Sequence, residues 1–121
     1  MFKKQGVCVA TAAGMGMRST IRDMADSLFF WGVARIERLG LGVAATRWDE
    51  VSDKKKAVIE KRTSAIAGRI RARSGRVRPG LRTKGLFAVM RLVQRKGWNA
   101  RDTRHWREQG WLGGARPWKQ T

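Results

Sequence analysis

The residues with the clearest potential for chemistry form a glycine turn, Gly14-x-Gly16-x-x-Ser19, after an apolar run. The run, residues 7–12, is predicted to be a strand buried on both faces, as in parallel sheets. Beyond the turn, apolar side chains recur every three or four residues, which predicts a helix over residues 18–30. A strand, a glycine turn and a helix often bind anionic ligands, because unpaired backbone N–H groups face outward where the helix begins.

The glycine spacing also resembles a dinucleotide-binding fingerprint, although it is one glycine short. That fingerprint needs an acidic residue about 20 positions further on, at the end of the next strand. Glu37 stands near that distance but is predicted to lie in the middle of a strand. Spacing alone therefore leaves two alternatives, a dinucleotide site and an ordinary strand-to-helix turn.

Other side chains with catalytic potential are few. The sequence has one cysteine, Cys8, and one histidine, His105, so we predict no metal site and no catalytic triad. Cys8 lies inside the apolar run, which predicts a buried thiol in a reducing compartment, the cytoplasm. If the chain belongs to an enzyme, a bound cofactor must therefore supply the reactive group.

The charge is strongly basic and unevenly distributed. The formal net charge is +18, and residues 61–121 hold 17 Lys and Arg against 2 Asp and Glu, a net charge of +15. This asymmetry predicts an anionic partner. The partner is either nucleic acid or an acidic protein on which the basic helix docks, in which case the chain acts as an adaptor. The alternative is that the basic residues form a solvated helix end. The arginines predicted to contact nucleic acid are Arg69, Arg71, Arg73, Arg76 and Arg78.

The elements that must position these residues follow a β-α-β-α order, which is typical of a parallel α/β layer. A second strand, one at a sheet edge, is predicted over residues 33–39, and Gly40-Leu41-Gly42 is predicted to break the chain after it. Ser52 or Asp53 is predicted to cap a second long helix, which ends near residue 75.

The chain is predicted to divide into an α/β unit, residues 1–75, and a basic, tryptophan-rich helical extension, residues 76–121. Pro79-Gly80 marks the linker, a basic amphipathic helix covers residues 82–96, and a short helix covers residues 102–108. The amphipathic helix could lie on an anionic membrane, but docking on its own domain is the favoured interpretation. No run is long enough to span a membrane.

Two stretches resemble a known family. The opening run and glycine turn, followed by SLFFWGV at residues 27–33, resemble the later half of a flavodoxin-like NAD(P)H-dependent FMN reductase. The segment WREQGWL, at residues 106–112, is similar to the C-terminal extension of some flavodoxin-family proteins. The resemblance covers residues 5–72 and 80–118 in the order in which the family has them.

The resemblance implies a parallel sheet that carries FMN at the carboxyl ends of its strands and passes hydride from NAD(P)H to the flavin. By this resemblance, three strands and the loop that holds the FMN phosphate are missing, so the chain is either a truncated product or is completed by a partner chain that supplies the other half. By position, the residues implied to line the flavin ring are Thr11, Ala12, Ala13, Gly14, Met15, Gly16 and Met17.

An apolar strand without neighbours on both sides leaves an open sheet edge, which favours association. We therefore expect the isolated chain to be marginally stable or oligomeric, and to bind FMN weakly or not at all.

Overall fold

A computed structural model of the chain describes residues 1–120. Its elements are β1 (Gln5–Ala12), α1 (Met17–Phe30), β2 (Arg35–Gly42), a single 3₁₀ turn (Trp48–Glu50), α2 (Asp53–Arg73), α3 (Leu81–Arg95) and α4 (Ala100–Glu108). The two strands pair in parallel over their whole length, from Gln5 beside Arg35 to Ala12 beside Gly42. The fold is therefore α/β, with a β-α-β-α unit followed by two helices, which confirms the predicted fold class.

Helix α1 covers one face of the sheet. Cys8 of β1 packs there against Ile21 and Ala25, and only 2% of Cys8 is exposed. Burial raises the pKa of the Cys8 thiol, while the positive charge of Arg38 on the neighbouring strand opposes that change. The predicted burial of this cysteine is confirmed.

Helix α2 covers the opposite face, but only over β2. Leu39 and Leu41 pack against Ile66, and the uncovered part of the same face belongs to β1. Val7 and Val9 are consequently 40% and 52% exposed. The prediction that this strand is buried on both faces is wrong for the described chain, because both valines on this face remain exposed within residues 1–120.

The second strand starts and ends later than predicted. It begins at Arg35 and continues through Gly40 and Gly42, which pair with Ala10 and Ala12, so the predicted break at residues 40–42 is wrong. A side chain at Gly40 would place its β-carbon 3.0 Å from Ile21 Cδ1. Glycine is therefore needed at this position because α1 approaches the strand closely, and not because the chain turns there.

The C-terminal helices pack around Phe2, at the start of the chain. Phe87 of α3 is 5% exposed, and its ring contacts Phe2 edge-on, with the ring centroids 5.7 Å apart. The Phe2 ring also covers Gly32, where a β-carbon would lie 2.6 Å from it and the backbone φ is +80°. The favoured interpretation, a basic helix docked on its own domain, agrees with these contacts. The aromatic cluster comprises Phe2, Phe87, Trp106, Trp111 and Trp118.

Two arginines of α3 fasten the C-terminal turns to this cluster. Arg91 is buried over the Phe87 ring and donates from Nε to the Trp111 carbonyl oxygen, at 2.7 Å. Arg95 donates from Nε to the Leu112 carbonyl oxygen, at 2.8 Å. Burial, together with nearby Arg116 and Arg95, lowers the pKa of Arg91. Part of the basic charge of this half therefore serves to hold the C-terminal turns.

No helix within residues 1–120 combines the length and the apolar character that crossing a bilayer requires.

Candidate ligand-binding groove

A groove of about 760 Å³ lies at the carboxyl ends of the two parallel strands. In open α/β sheets, this is the edge at which ligands bind. One wall follows β1, and the other is the loop after β2 together with Ile59 of α2. The lining residues are Thr11, Ala12, Ala13, Leu41, Val43, Ala44, Ala45, Thr46, Trp48, Glu50 and Ile59.

The loop after β2 is held in place by short-range hydrogen bonds. The Val43 N–H donates to the Ala12 carbonyl oxygen at 2.8 Å and so continues the strand pairing beyond the sheet. Glu50 Oε2 accepts bonds from the Thr46 N–H and hydroxyl, at 3.2 and 3.1 Å, and from the Arg47 N–H at 3.3 Å. These bonds fix the 3₁₀ turn that carries Trp48.

The chemistry of the groove suits a flat apolar ligand. Its walls are mainly alanine, valine, leucine and isoleucine side chains, and Trp48 is 59% exposed at its margin. An aromatic ring prefers to stack on another with an offset or to meet it edge-on, and Trp48 is free to do either. The ammonium group of Lys56 lies 5.4 Å from the centre of the Trp48 ring.

The same groove does not suit a phosphate group. Glu50 is the one charged side chain among the residues that line it, and its carboxylate would repel a phosphate. The lining residues therefore suit a flat apolar group and do not suit a phosphate.

The residues implied by the family resemblance separate in the structure. Thr11, Ala12 and Ala13 line the groove. The loop that carries Gly14, Met15 and Gly16 is exposed, and Met15 is 97% exposed. Met17, the first residue of α1, instead lines a cleft on the opposite face of the sheet.

Glu37, the acidic residue considered for a dinucleotide site, has another role in the structure. Glu37 lies in the middle of β2 and is 7% exposed. Its Oε2 accepts bonds from Arg69 Nε and Nη2 at 3.1 and 3.0 Å, and its Oε1 accepts one from Arg73 Nη1 at 3.0 Å. The hydrogen bond from Arg69 lowers the pKa of this carboxyl, although burial opposes that change. Both oxygens are therefore engaged within the fold.

Two of the five arginines predicted to bind nucleic acid are thus bound to Glu37. Arg71, Arg76 and Arg78 are exposed, and Arg76 and Arg78 line a cleft with Arg35. The tryptophans of the C-terminal half divide as well. Trp98 is 83% exposed, whereas Trp106, Trp111 and Trp118 pack in the aromatic cluster. Stacking on unpaired bases is therefore open to Trp98 and not to the three clustered rings.

Sequence reasoning missed the second wall of the groove. The loop residues 43–46 contain no charge and no glycine, so they carry no motif that could single them out. The signal that could have found them is positional, because the segment after each parallel strand opens on the same edge of the sheet.

Comparisons of this sequence and structure with protein-family models, curated proteins and solved structures give no match.

Proposed function

We propose that the groove holds the isoalloxazine ring of FMN, and that the chain forms part of a flavin-dependent NAD(P)H oxidoreductase. The observation that carries this proposal is the position of an apolar, open groove at the carboxyl ends of two parallel strands, with Trp48 at its margin. Thr11, Ala12 and Ala13, which the resemblance implies for the flavin ring, line this groove.

The work of the chain's own residues is to bind and to orient. Bound flavin supplies the hydride acceptor and donor. Leu41, Val43 and Ile59 would pack against the ring and shield it from water, and residues 11–13 would form the wall on the β1 side. This assignment requires no catalytic acid or base from the protein. We place the activity in the cytoplasm, where the buried thiol of Cys8 stays reduced.

A further strand completes this proposal. The lateral edge of β1 that faces away from β2 is unpaired within the described residues, and Val7 and Val9 beside it are exposed. Parallel strands are usually covered on both faces. We propose that a strand of another polypeptide, either a second copy or a partner chain, pairs with β1, and that a partner chain brings the groups that hold the phosphate.

The test is flavin binding by a matched pair of tryptophan variants. Trp48→Ala removes the aromatic margin of the groove, and Trp98→Ala removes a more exposed tryptophan outside it. Stacking is worth about 0.5–1.5 kcal/mol, so Trp48→Ala should weaken riboflavin binding by about 2- to 12-fold, and Trp98→Ala should leave it unchanged. The measurement is quenching of flavin fluorescence. Equal effects of the two variants would remove the groove from the proposal.

A further inference from the structure

A second cleft, of about 530 Å³, lies on the face of the sheet opposite the groove, between α1 and the free edge of β2. Arg62 of α2 reaches this edge and donates from Nη1 to the Gly40 carbonyl oxygen, at 2.7 Å. That carbonyl is not used in pairing with β1, which places the cleft on the outer side of β2. The lining residues are Met17, Arg18, Ile21, Arg22, Arg38, Gly40 and Arg62.

The four arginines of this cleft have no acidic partner. Within residues 1–120, every ion pair involves either Glu37 or Asp49, and none involves Arg18, Arg22, Arg38 or Arg62. Arg18 and Arg22 stand one helical turn apart, where like charges destabilise a helix by about 0.2–0.5 kcal/mol. Where this chain uses arginines to hold the fold together, as at Glu37, it supplies the carboxylate. In this cleft it does not.

A third cleft continues the positive charge at the start of the same strand. It has a volume of about 380 Å³ and is lined by Arg35, Arg73, Arg76 and Arg78, together with Ala34, Val77 and Gly80. Arg35 and Gly40 are five residues apart on β2, which is roughly 17 Å of extended chain. Successive side chains of a strand alternate between its faces, so Arg35 and Arg38 lie on opposite faces of β2, and Arg35 also pairs with Glu37 at 3.6 Å. The arginines of the two clefts therefore form an array that flanks both faces of this strand rather than a single point of charge.

We propose that this array, the β2 arginine edge (Arg18, Arg22, Arg35, Arg38, Arg76 and Arg78), binds the phosphate backbone of double-stranded nucleic acid. Guanidinium groups pair with phosphate oxygens through two parallel hydrogen bonds, and an extended row of them matches a linear polyanion. No aromatic side chain lines either cleft, whereas sites for single strands usually provide aromatic surfaces on which bases stack. Binding is therefore independent of base sequence.

This inference goes beyond the flavin proposal and does not depend on it. The two sites lie on different parts of the molecule. Among the residues implied to line the flavin ring, Met17 alone lines an arginine cleft. The arginine edge also differs from the stretch singled out in the sequence, because it adds four arginines from α1 and β2 and excludes Arg69, Arg71 and Arg73.

The test compares two triple variants of equal charge change in the full chain. Arg18→Gln/Arg22→Gln/Arg38→Gln removes three of the four arginines of the first cleft, and Arg101→Gln/Arg104→Gln/Arg107→Gln removes three exposed arginines of α4 that line neither cleft. A fluorescent DNA duplex of about 20 base pairs is titrated by anisotropy across a range of salt concentrations. Each lost phosphate contact reduces the slope of log K against log salt by about 0.9.

We expect the cleft variant to lower this slope by about 2 to 3 and to weaken binding at least about tenfold at 0.1 M salt, whereas the α4 variant changes both much less. Equal losses in the two variants would overturn the proposal, because only net charge would then matter. If the triple variant unfolds by circular dichroism, Arg76→Gln/Arg78→Gln takes its place, with an expected slope change of about 2.

Free nucleotide could supply the same phosphate chemistry, so adenosine monophosphate is added as a competitor. Failure to displace the duplex at an equal concentration of phosphate supports an extended polyanion as the ligand. Full displacement at that concentration would overturn it and assign the cleft to small phosphate esters.

Discussion

Glu37 is a buried carboxylate held by arginines that come from a different element. Its side chain is 8% exposed, whereas those of Arg69 and Arg73 are 44% and 39% exposed, so the guanidinium groups keep part of their hydration. A buried ion pair costs desolvation, and hydrogen bonds that satisfy both carboxylate oxygens offset that cost. The pair therefore fixes the position of α2 on β2 more than it adds to net stability.

Replacing Glu37 by glutamine should reveal this pairing as a pH effect. The native pKa of Glu37 is lower than that of the unfolded chain, so its contribution is complete above about pH 4.5 and is lost as the pH falls through the native pKa. Glu37→Gln should reduce the free energy of unfolding by about 1–3 kcal/mol at pH 7, and the difference from wild type should shrink in acid. Urea unfolding from pH 3 to pH 7 measures it.

The matched control is Glu60→Gln, at an exposed position of α2 that takes part in none of the ion pairs described above. It should change stability by less than about 0.5 kcal/mol at every pH. A difference between Glu37→Gln and wild type that grows in acid would contradict the assigned direction of the pKa.

At this scale, the sequence predicts burial better than it predicts partners. The position of Cys8 within an apolar run is enough to predict its burial. Arg69 and Arg73, predicted to contact nucleic acid, pair with a carboxylate more than 30 positions away, which no local pattern of arginines can reveal. The cleft around Arg38 was not predicted for the same reason, because its lining residues come from three separate elements, α1, β2 and α2.

Element ends were predictable where a local signal sets them. Ser52 accepts a hydrogen bond from the Lys55 N–H at 3.3 Å, and α2 begins at the next residue, as the predicted cap implies. The end of β2 was mispredicted because Gly40 and Gly42 look like a turn. The two glycines instead lie where a helix packs against the strand, and the sequence alone does not reveal that contact.

Phe87 is the buried aromatic residue through which helix α3 joins the aromatic cluster. Phe87 lies 4.8 Å from the Trp106 ring and 5.1 Å from the Trp118 ring, measured between centroids. Phe87→Ala should cost about 3–5 kcal/mol, because the truncation leaves a cavity at the centre of the aromatic cluster. Tryptophan emission should shift to longer wavelength, since Trp106 and Trp118 gain contact with water. Urea unfolding followed by fluorescence measures both effects.

Phe30→Ala is the control for this truncation, because Phe30 is 69% exposed and lies outside the aromatic cluster. It should cost much less than Phe87→Ala and leave the emission unchanged. Similar costs for the two variants would contradict the role given to the cluster.

For the whole molecule, the two strand edges differ in character. The outer edge of β2 is flanked by Arg38 and carries Arg62 on the Gly40 carbonyl, and charge of this kind discourages further pairing. The outer edge of β1 lies beside exposed Val7 and Val9 and has no such protection in the described chain. Association should therefore occur through β1.

Val9→Lys tests this asymmetry. The wild-type chain should self-associate as its concentration rises, and a lysine on the exposed face of β1 should shift it toward monomer because it puts a charge into the contact. The control is Val89→Lys on α3, at a residue that is 56% exposed against 52% for Val9. Sedimentation velocity measures the distribution. A wild-type chain that stays monomeric at every concentration would refute the account of β1.

The β-α-β-α order was predictable from hydrophobic period and glycine turns, because those signals are local. Docking of the basic helix on its own domain was the favoured prediction, but the contacts that make it were not predictable, since they join Phe2 to Trp118 across almost the whole chain. The proposed division at residues 75 and 76 stays a prediction. The groove was predictable in part, through its β1 wall, and its second wall required the fold.

The most direct measurement compares the affinities of riboflavin and FMN for the chain, because the two ligands differ only by the phosphate. A site that holds the ring and lacks a phosphate cradle predicts weak binding of both, with Kd values within about threefold of each other. Trp48→Ala should weaken both equally. FMN binding far tighter than riboflavin binding, or flavin binding lost on replacing Arg18, Arg22 and Arg38 but not Trp48, would contradict the account.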